Sequence, residues 1–357
     1  MPQGGEKVEC STQMSSYGLN ENDGISRGAG PEPEVLPAEL AREPGMQPRP
    51  VARHHRRRVW LPLGLFLATC LSTLLAGGLL DALDLSLLAW RLQDARDGVV
   101  SGIFFAVGYW CYYALVHGWQ YALPVMTILI CHEAGHFFQA RRYRVHASYP
   151  YFIPMPISPL GTLGAVIVME PRMGHRRALF DIGITGPLAG LVPTLLFCVW
   201  GLYLSQVKAY IPRGDQMMLG EPLLFKVLGA WIHGPIPEGH DLYLHPMAFA
   251  GWVGLLITAL NLLPIGQLDG GHILYGLLRT KAHKVATLLL LAAVVAVIWY
   301  RLWGWTLMLV LLMLMGPVHP PTANDEVPLG PVRTVLGWLA LAFIPIGFTP
   351  QPFLLGF

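Results

Sequence analysis

Long apolar runs alternate with short charged or proline-rich connections along most of this chain. Several of these runs approach or exceed the roughly 20 residues that an α-helix needs to cross a bilayer. The pattern predicts a polytopic α-helical membrane protein with about 6–8 transmembrane helices. The candidate runs are Val59–Leu80, Val99–Val116, Trp119–Tyr143, Phe180–Leu204, Pro246–Leu278, Val285–Tyr300, Trp303–Met315 and Val332–Phe348.

Composition supports this class, because 54% of the 357 residues are hydrophobic and only 13% are charged. Soluble globular chains carry about 25% charged residues. The net charge of +2 does not favour a nucleic-acid partner. The five cysteines lie in the polar tail or in apolar runs and form no CxxC pair, so we expect neither a disulfide framework nor a cysteine zinc site.

The basic residues are clustered and therefore carry information about topology. Residues 1–58 are polar and rich in Gly, Pro and Glu, which predicts a disordered tail. This tail ends in the basic run Arg53–Arg58, directly before the first apolar run. By the positive-inside rule, the N-terminal tail is expected in the cytoplasm.

A second basic cluster, Arg141–Arg144, should also be cytoplasmic. Two cytoplasmic clusters require an even number of crossings between them, but three candidate runs lie there. We therefore expect Val99–Val116 to re-enter the membrane or to lie at its interface instead of crossing it.

The segment Ser148–Met169 does not read as a transmembrane helix, because prolines recur along it from Pro150. Each interior proline costs a helix roughly 3 kcal/mol. The second half, Gly161–Met169, is rich in β-branched residues and predicts a strand. An open strand edge cannot face lipid, so this strand must be shielded in a cavity or at the interface, or be paired with another strand.

The run Trp119–Tyr143 contains the sequence His-Glu-Ala-Gly-His. His132 and His136 lie four residues apart and therefore share one helical face, where two imidazoles can bind one ion. Glu133 is then placed to act on a water molecule at that ion. This is the H-E-x-x-H pattern of zinc metalloproteases.

Catalytic zinc takes three protein ligands and leaves a fourth position for water. The best candidate for the third ligand is Asp269, which is the only acid in Pro246–Leu278. Pro264 and Gly266 precede it and Gly270 follows it, which suggests an unwound stretch and a close backbone approach. Buried ionisable groups without partners are costly, so a shared metal site accounts for these residues better than chance.

Other polar residues in the apolar runs have competing interpretations. For Asp181 we expect an ion pair with Arg176 or Arg177, or a role at a helix N-terminus. Asn261 either packs between helices through a hydrogen bond or contacts the substrate or a strand. His272 either supports Asp269 or makes a hydrogen bond at a helix end. Surface roles are expected for the remaining histidines in tails, loops and helix ends, which are His54, His55, His146, His175, His233, His240, His245, His283 and His319.

These residues resemble the site-2 protease family of intramembrane zinc metalloproteases. The resemblance rests on His132–His136 together with Asn261–Gly270, and it extends to Gly161–Ala165 and Phe180–Gly190. It covers about residues 119–330. The 40-residue loop Ser205–Leu244 is too short for the PDZ domain of many members, so the chain resembles the PDZ-free branch, which includes chloroplast-type members.

The resemblance implies one zinc ion on His132, His136 and Asp269, with Glu133 as the general base. It also implies a membrane re-entrant β element at the Gly161 strand, which suits the binding of an extended peptide. We therefore expect substrate contacts at Asn261, Gly161, Thr162 and Gly164. The expected organisation is a tail at 1–58, accessory segments at 59–118, a catalytic core at 119–284 and accessory helices at 285–357.

The sequence thus predicts an intramembrane endopeptidase that cleaves transmembrane segments of substrate proteins near the cytoplasmic side, in regulated proteolysis. The expected partners are a transmembrane substrate and the lipid bilayer, and the expected location is a bacterial cytoplasmic membrane. The alternative is a non-catalytic membrane protein that binds or transports metal. A transporter would be expected to show inverted repeats and polar residues on several helices, and neither is evident.

Overall fold

The computed structural model of the chain describes residues 59–82, 99–169, 174–210 and 217–355. The tail predicted for residues 1–58 lies outside the described residues. The helices are α1 (Trp60–Ala82), α2 (Val99–Val116), α3 (Trp119–Arg142), α4 (Arg176–Leu204), α5 (Leu223–His233), α6 (Pro246–Asn261), α7 (Asp269–Leu278), α8 (Lys281–Trp299), α9 (Thr306–Met315), α10 (Pro331–Ala342) and α11 (Ile344–Gly347), with a 3-10 turn at Trp303–Trp305. The strands are β1 (Tyr151–Met155), β2 (Gly161–Val166), β3 (Gln206–Ala209), β4 (Met217–Leu219), β5 (His240–Tyr243) and β6 (Phe353–Leu355).

Within the described residues, three helices are long and apolar enough to cross a membrane: Trp60–Gly78, Arg176–Leu204 and Lys281–Trp299. A fourth candidate is the bent pair Val107–Val116 and Trp119–Arg142, whose axes differ by 60°. The predicted spans at Trp303–Met315 and Val332–Phe348 are shorter apolar helices. The described part of the chain therefore supports a mostly helical protein with three or four candidate spans, fewer than the six to eight expected.

The bend before α3 occurs at Gly118, where the chain passes very close to α1. A Cβ atom at Gly118 would lie 2.2 Å from the carbonyl oxygen of Leu74 and 2.5 Å from that of Ala114, so only glycine fits. The bend is compatible with a broken span and with re-entry of Val99–Val116. The expectation that this run does not cross the membrane therefore stays a prediction.

Helices α3, α4 and α6 form the packed centre. Tyr121 and Val125 of α3 are fully buried against the stacked rings of Phe249 and Trp252 on α6, whose centroids are 5.6 Å apart. Helix α4 approaches α6 closely, because a Cβ at Gly201 would lie 2.1 Å from the Ala248 nitrogen. Such close packing of small residues is how helices associate without a hydrophobic drive in a bilayer.

The predicted strand at Gly161 is present and forms an antiparallel hairpin with β1, in which Tyr151 pairs with Val166 and Met155 with Gly161. The turn of the hairpin is fastened to the helices. Ser72 of α1 donates a hydrogen bond of 2.6 Å to the Gly161 carbonyl, and Tyr121 donates one of 2.7 Å to the Leu160 carbonyl. The hairpin is thus held against α1 and α3.

The expected loop Ser205–Leu244 has more structure than predicted. It contains α5 and two strands that pair with each other, β3 and β5, in the register Gln206 to Tyr243. Strand β4 pairs instead with the C-terminal strand β6. The short strands carry no long hydrophobic period, which is why the sequence pattern did not reveal them.

Asp181 forms an ion pair, but its partner is not the one expected. Both oxygens of the carboxylate accept hydrogen bonds from Arg333 of α10, at 2.7 and 2.9 Å, and Oδ2 also accepts one from the Tyr143 hydroxyl. Arg176 donates instead to the carbonyls of Gly276 and Leu277 at the end of α7. The ion pair therefore fastens the C-terminal helix α10 to the core helix α4.

Candidate metal centre

Three predicted residues meet at the centre of the fold. The Nε2 atoms of His132 and His136 on α3 are 3.1 Å apart. One carboxylate oxygen of Asp269, at the first position of α7, lies 3.2 Å from His132 Nε2 and 3.3 Å from His136 Nε2. These atoms form a nearly equilateral triangle, and they are the group in the described residues that could hold a metal ion.

The triangle has the dimensions of one face of a zinc tetrahedron. Zinc bonds nitrogen and oxygen ligands at roughly 2.0–2.1 Å, which places ligand atoms about 3.3–3.4 Å apart in a tetrahedron. Two imidazole lone pairs that converge with a carboxylate oxygen repel each other unless a cation or a proton lies between them. Two neutral imidazoles and one carboxylate leave a single net negative charge and a fourth position open. The residues present therefore fit one zinc ion of the catalytic type.

Helix α4 orients the histidines and makes room for them. His136 donates a hydrogen bond of 2.8 Å from Nδ1 to the Ile182 carbonyl, which leaves the lone pair on Nε2 for the metal. A Cβ atom at Gly186 would lie 2.0 Å from His136 Nε2, and one at Gly190 would lie 3.0 Å from the Cβ of His132. Gly186 and Gly190, which lie four residues apart on α4, thus leave the space that both imidazoles occupy.

Asp269 reaches the site because the run Pro246–Leu278 is broken, as its Pro and Gly residues predicted. Helix α6 ends at Asn261 and α7 begins at Asp269. A Cβ at Gly270 would lie 1.8 Å from the Leu262 carbonyl oxygen, so the returning chain can turn back on itself only at a glycine. Asp269 stands in the first turn of α7, where the partial positive charge of the helix end favours a carboxylate.

Glu133 lies beside the metal ligands on the wall of a cavity of about 400 Å³. It is only 5% exposed. His132, His136 and Asp269 line the same cavity, and so do Ala165–Met169, the end of β2 and the residues that follow it. A peptide entering this cavity would meet the ligand group, a carboxylate and a strand segment together.

The residues predicted to bind substrate are not all in this cavity. Asn261 lines it, and its Nδ2 lies 3.4 Å from His132 Nε2. Gly161 instead packs against α1, where a Cβ would lie 2.7 Å from the Thr73 Cα atom. The Thr162 hydroxyl donates to the Ile153 carbonyl and accepts from the Gly164 amide, so it stabilises the hairpin itself. Substrate contacts at these positions stay predictions. The part of this segment that lines the cavity, Ala165–Met169, begins one residue after Gly164.

One histidine was placed wrongly by the sequence pattern. His319, for which a surface role was expected, is 6% exposed and lines the cavity. Its Nε2 lies 2.7 Å from Nδ1 of the equally buried His272. The prolines around His319 hid this role, because they indicate a linker, and linkers usually lie at the surface.

A triangle of candidate zinc ligands in an apolar helical fold, with a glutamate between the two histidines, is typical of membrane metalloproteases. Residues 120–300, about half of the chain, match peptidase family M50. The chain therefore belongs to peptidase family M50, which confirms the resemblance to the site-2 proteases. This family is embedded in membranes, in agreement with the apolar helices.

Several similar proteins are named as probable zinc metalloproteases. The "Probable zinc metalloprotease EGY1, chloroplastic" of Oryza sativa subsp. japonica is 36% identical over 159 residues, which are 43% of this chain and 27% of the relative. The protein of the same name from Arabidopsis thaliana is 30% identical over 237 residues, 64% of this chain and 42% of the relative. The "Probable zinc metalloprotease EGY2, chloroplastic" of Arabidopsis thaliana is 28% identical over 239 residues, 65% of this chain and 42% of the relative.

The chain thus spans less than half the length of these relatives. No solved structure matches. The relatives are named as chloroplast proteins of plants, which conflicts with the expected bacterial cytoplasmic membrane. In the described part of the chain, three or four helices are long and apolar enough to cross a membrane.

Proposed function

We propose that this chain is an intramembrane zinc metalloendopeptidase that cleaves transmembrane segments of other proteins near the cytoplasmic side. The observation that carries the proposal is the triangle of His132, His136 and Asp269, with sides of 3.1–3.3 Å, next to the buried Glu133. Membership of family M50 supports a role in regulated intramembrane proteolysis, in which a membrane-held protein is released by cleavage.

Each residue of the site has a distinct role in this proposal. His132, His136 and Asp269 would hold zinc, which when bound would supply a Lewis acid for the scissile carbonyl and lower the pKa of water. Glu133 takes a proton from the attacking water and passes it to the leaving amine, so that its carboxylate ends as it began. The Ile182 carbonyl keeps His136 in the tautomer that can bind the metal.

The position of the hairpin supports an extended substrate. A transmembrane helix hides its peptide bonds in its own hydrogen bonds, so a segment must unwind before it can be cleaved. An unwound backbone in an apolar surrounding needs new hydrogen-bond partners. The segment Ala165–Met169 borders the cavity beside the ligand triangle and can offer such partners by strand addition.

The location of cleavage follows from charge. Helix α3 carries Arg141 and Arg142 in its last turn, less than two turns after His136. The positive-inside rule assigns this end of the helix to the cytoplasm. The metal site therefore belongs near the cytoplasmic end of α3, and substrates are cut on that side.

The test uses purified protein in detergent and a tagged reporter with one apolar segment. The Glu133→Gln variant should bind zinc with a 1:1 stoichiometry and lose cleavage by at least about 10³-fold, since the proton acceptor is gone. Glu238→Gln is the matched control, because it makes the same chemical change at an exposed loop residue. Cleavage by Glu133→Gln at the rate of the control would refute the protease role.

Zinc content separates the alternative function. A metal-binding or transport protein would hold zinc on the same ligands but would show no Glu133-dependent cleavage. Asp269→Ala should lower zinc content and cleavage together, whereas Asp241→Ala, at an exposed strand residue, should change neither. Zinc retention without cleavage in the wild type, across several apolar reporters, would favour the alternative.

A further inference from the structure

The cavity has a wall that lies beyond the part of the chain matched to family M50. His319 and the residues Pro320–Thr322 belong to the linker between α9 and α10, and they line the same cavity as the metal ligands. The family match ends at residue 300. This linker therefore brings an additional element to the site.

The linker is fastened to α7 and α8 by several specific contacts. The ring of His319 stacks on Tyr275, with centroids 4.8 Å apart, and its carbonyl accepts a hydrogen bond of 3.0 Å from His283. The Tyr275 hydroxyl donates a hydrogen bond of 2.6 Å to Asp325, which also accepts one from Thr322. These contacts hold the linker in a fixed position relative to α7 and α8.

These contacts determine where the protons of the two buried histidines lie. Nδ1 of His319 is 2.6 Å from the Pro320 carbonyl, which can only accept, so this nitrogen carries the proton. In the neutral ring Nε2 is then an acceptor, and it receives the hydrogen bond from Nδ1 of His272 at 2.7 Å. In neutral His272 the remaining nitrogen, Nε2, is consequently an acceptor as well.

We propose that His272 binds the main chain of the substrate by accepting a hydrogen bond from one peptide N–H group, and that His319 is the positioning residue that prepares it for this role. His272 lines the cavity one turn after Asp269. Much of the wall around it is apolar, and a peptide N–H that leaves water there needs an acceptor. This inference rests on the proposed function, because it assigns residues to the substrate of the same site.

The choice of a peptide amide follows from chemistry. An imidazole nitrogen without a proton cannot donate, so it does not recognise a carbonyl or a carboxylate. The strand segment Ala165–Met169 offers its own backbone to one side of an extended peptide. His272 offers an acceptor from α7, and the two together can fix the peptide relative to the metal ligands.

The test measures binding without turnover. In the Glu133→Gln background, a fluorescent apolar peptide is titrated into the protein in detergent, together with a series of analogues that are each N-methylated at one amide. In this background one analogue should bind about 3–10-fold more weakly than the parent, the equivalent of one lost hydrogen bond. When His272→Leu or His319→Leu is added, the unmethylated peptide should bind as weakly as that analogue does. Methylation of the same amide should then weaken binding no further.

Control variants separate positioning from general damage. His319→Gln keeps an acceptor near the Nε2 position and should restore most of the affinity, whereas His240→Leu, at an exposed strand residue, should leave binding unchanged. The double variant His272→Leu/His319→Leu should be no worse than either single variant, because one residue acts through the other. Zinc content should stay within the range of the control.

Failure of this inference is distinguishable from failure of the proposed function. One outcome is that the wild type cleaves the reporter while the effect of methylation is the same with and without His272 at every amide. In that case His272 does not bind the substrate, and the proposed protease function still stands. Additive losses in the double variant, or loss of zinc from His319→Leu, would show that His319 supports the fold and not the substrate. If the wild type neither cleaves nor binds apolar peptides, the proposed function itself fails.

Discussion

The Nδ1 atom of His136 lies 2.8 Å from the carbonyl oxygen of Ile182 on the neighbouring helix α4. The next residue back along α4 is Asp181, which is held by Arg333 through two hydrogen bonds of 2.7 and 2.9 Å. The orientation of a candidate metal ligand on α3 is therefore connected, through two adjacent residues of α4, to helix α10.

Gly186→Ala should disrupt zinc binding while most of the fold remains. The added Cβ would lie 2.0 Å from His136 Nε2, so the imidazole must leave its position. Mutation of a group that orients a metal ligand typically costs about 10–100-fold in metal affinity, and displacement of His136 itself should cost at least as much. The zinc affinity of each variant is measured by competition with a zinc chelator. Gly229→Ala is the control, because a Cβ there has no neighbour within 4 Å. Equal affinity of the two variants would contradict the close packing of α4 under His136.

Arg333→Met should destabilise the attachment of α10. The Asp181 side chain is 10% exposed and would lose two charge-assisted hydrogen bonds. We expect the free energy of unfolding to fall by about 1–2 kcal/mol, a modest loss because Arg333 is itself partly exposed and solvent screens the ion pair. The melting temperature in detergent is measured for Arg333→Met and for the control variant Arg142→Met, which changes an exposed residue. An unchanged melting temperature would mean that the ion pair contributes nothing to stability.

The contact of the linker with α7 and α8 should weaken in acid. Burial lowers the pKa of His319 below its ordinary value of 6.5, and the charge of His283 acts in the same direction, while Asp325 opposes it. The folded linker thus binds fewer protons than the unfolded one below pH 6.5. Its contribution to stability is complete above pH 6.5 and declines as the pH falls below that value.

The pKa of the Asp325 carboxyl is also lowered. Burial would raise its pKa, but the hydrogen bonds from Thr322 and Tyr275 and the charge of Arg279 lower it overall. Its contribution is therefore lost at still lower pH, near and below its ordinary pKa of 3.8. Amide hydrogen exchange of the linker, compared at pH 7.5 and 5.5 after correction for the intrinsic rate, should show lower protection at pH 5.5. His319→Gln should remove most of that difference, and a difference that persists in this variant would exclude His319 as its source.

Gly161→Ala should impair cleavage without removing zinc. Gly161 has φ of +69°, and a Cβ there would lie 2.7 Å from the Thr73 Cα atom of α1. Strain and overlap together cost about 1–3 kcal/mol, which loosens the hairpin from its support. Reporter cleavage and zinc content are measured side by side, with Gly174→Ala as the control, since a Cβ there has no neighbour within 4 Å. Loss of zinc in Gly161→Ala would show that the hairpin and the metal site are not separate.

The sequence was sufficient to find the residues of the metal triangle but not the connections around it. His132 and His136 follow from helical periodicity, and Asp269 stood out because an acid is costly in an apolar run. The break before Asp269 was visible in Pro264, Gly266 and Gly270. These signals are local, or they depend on the energy of one residue in its surroundings.

Long-range pairings left no such signal. Arg333 pairs with Asp181 although Arg176 and Arg177 are near in sequence, because helix packing decides which charge is near in space. His319 looked like part of a polar linker, and only its contact with Tyr275 and His272 reveals its burial. The short strands β3 to β6 lacked the length that a period-two pattern needs to be recognised.

The wall formed by His319 has a consequence for the biogenesis of the protein. A ribosome makes His132, His136 and Asp269 first, and His319 and Arg333 emerge only afterwards. A nascent chain therefore contains all three residues of the triangle before the linker that lines the cavity has been made. If the chain acts as proposed, the full set of substrate contacts would therefore form only after translation has passed the linker and α10.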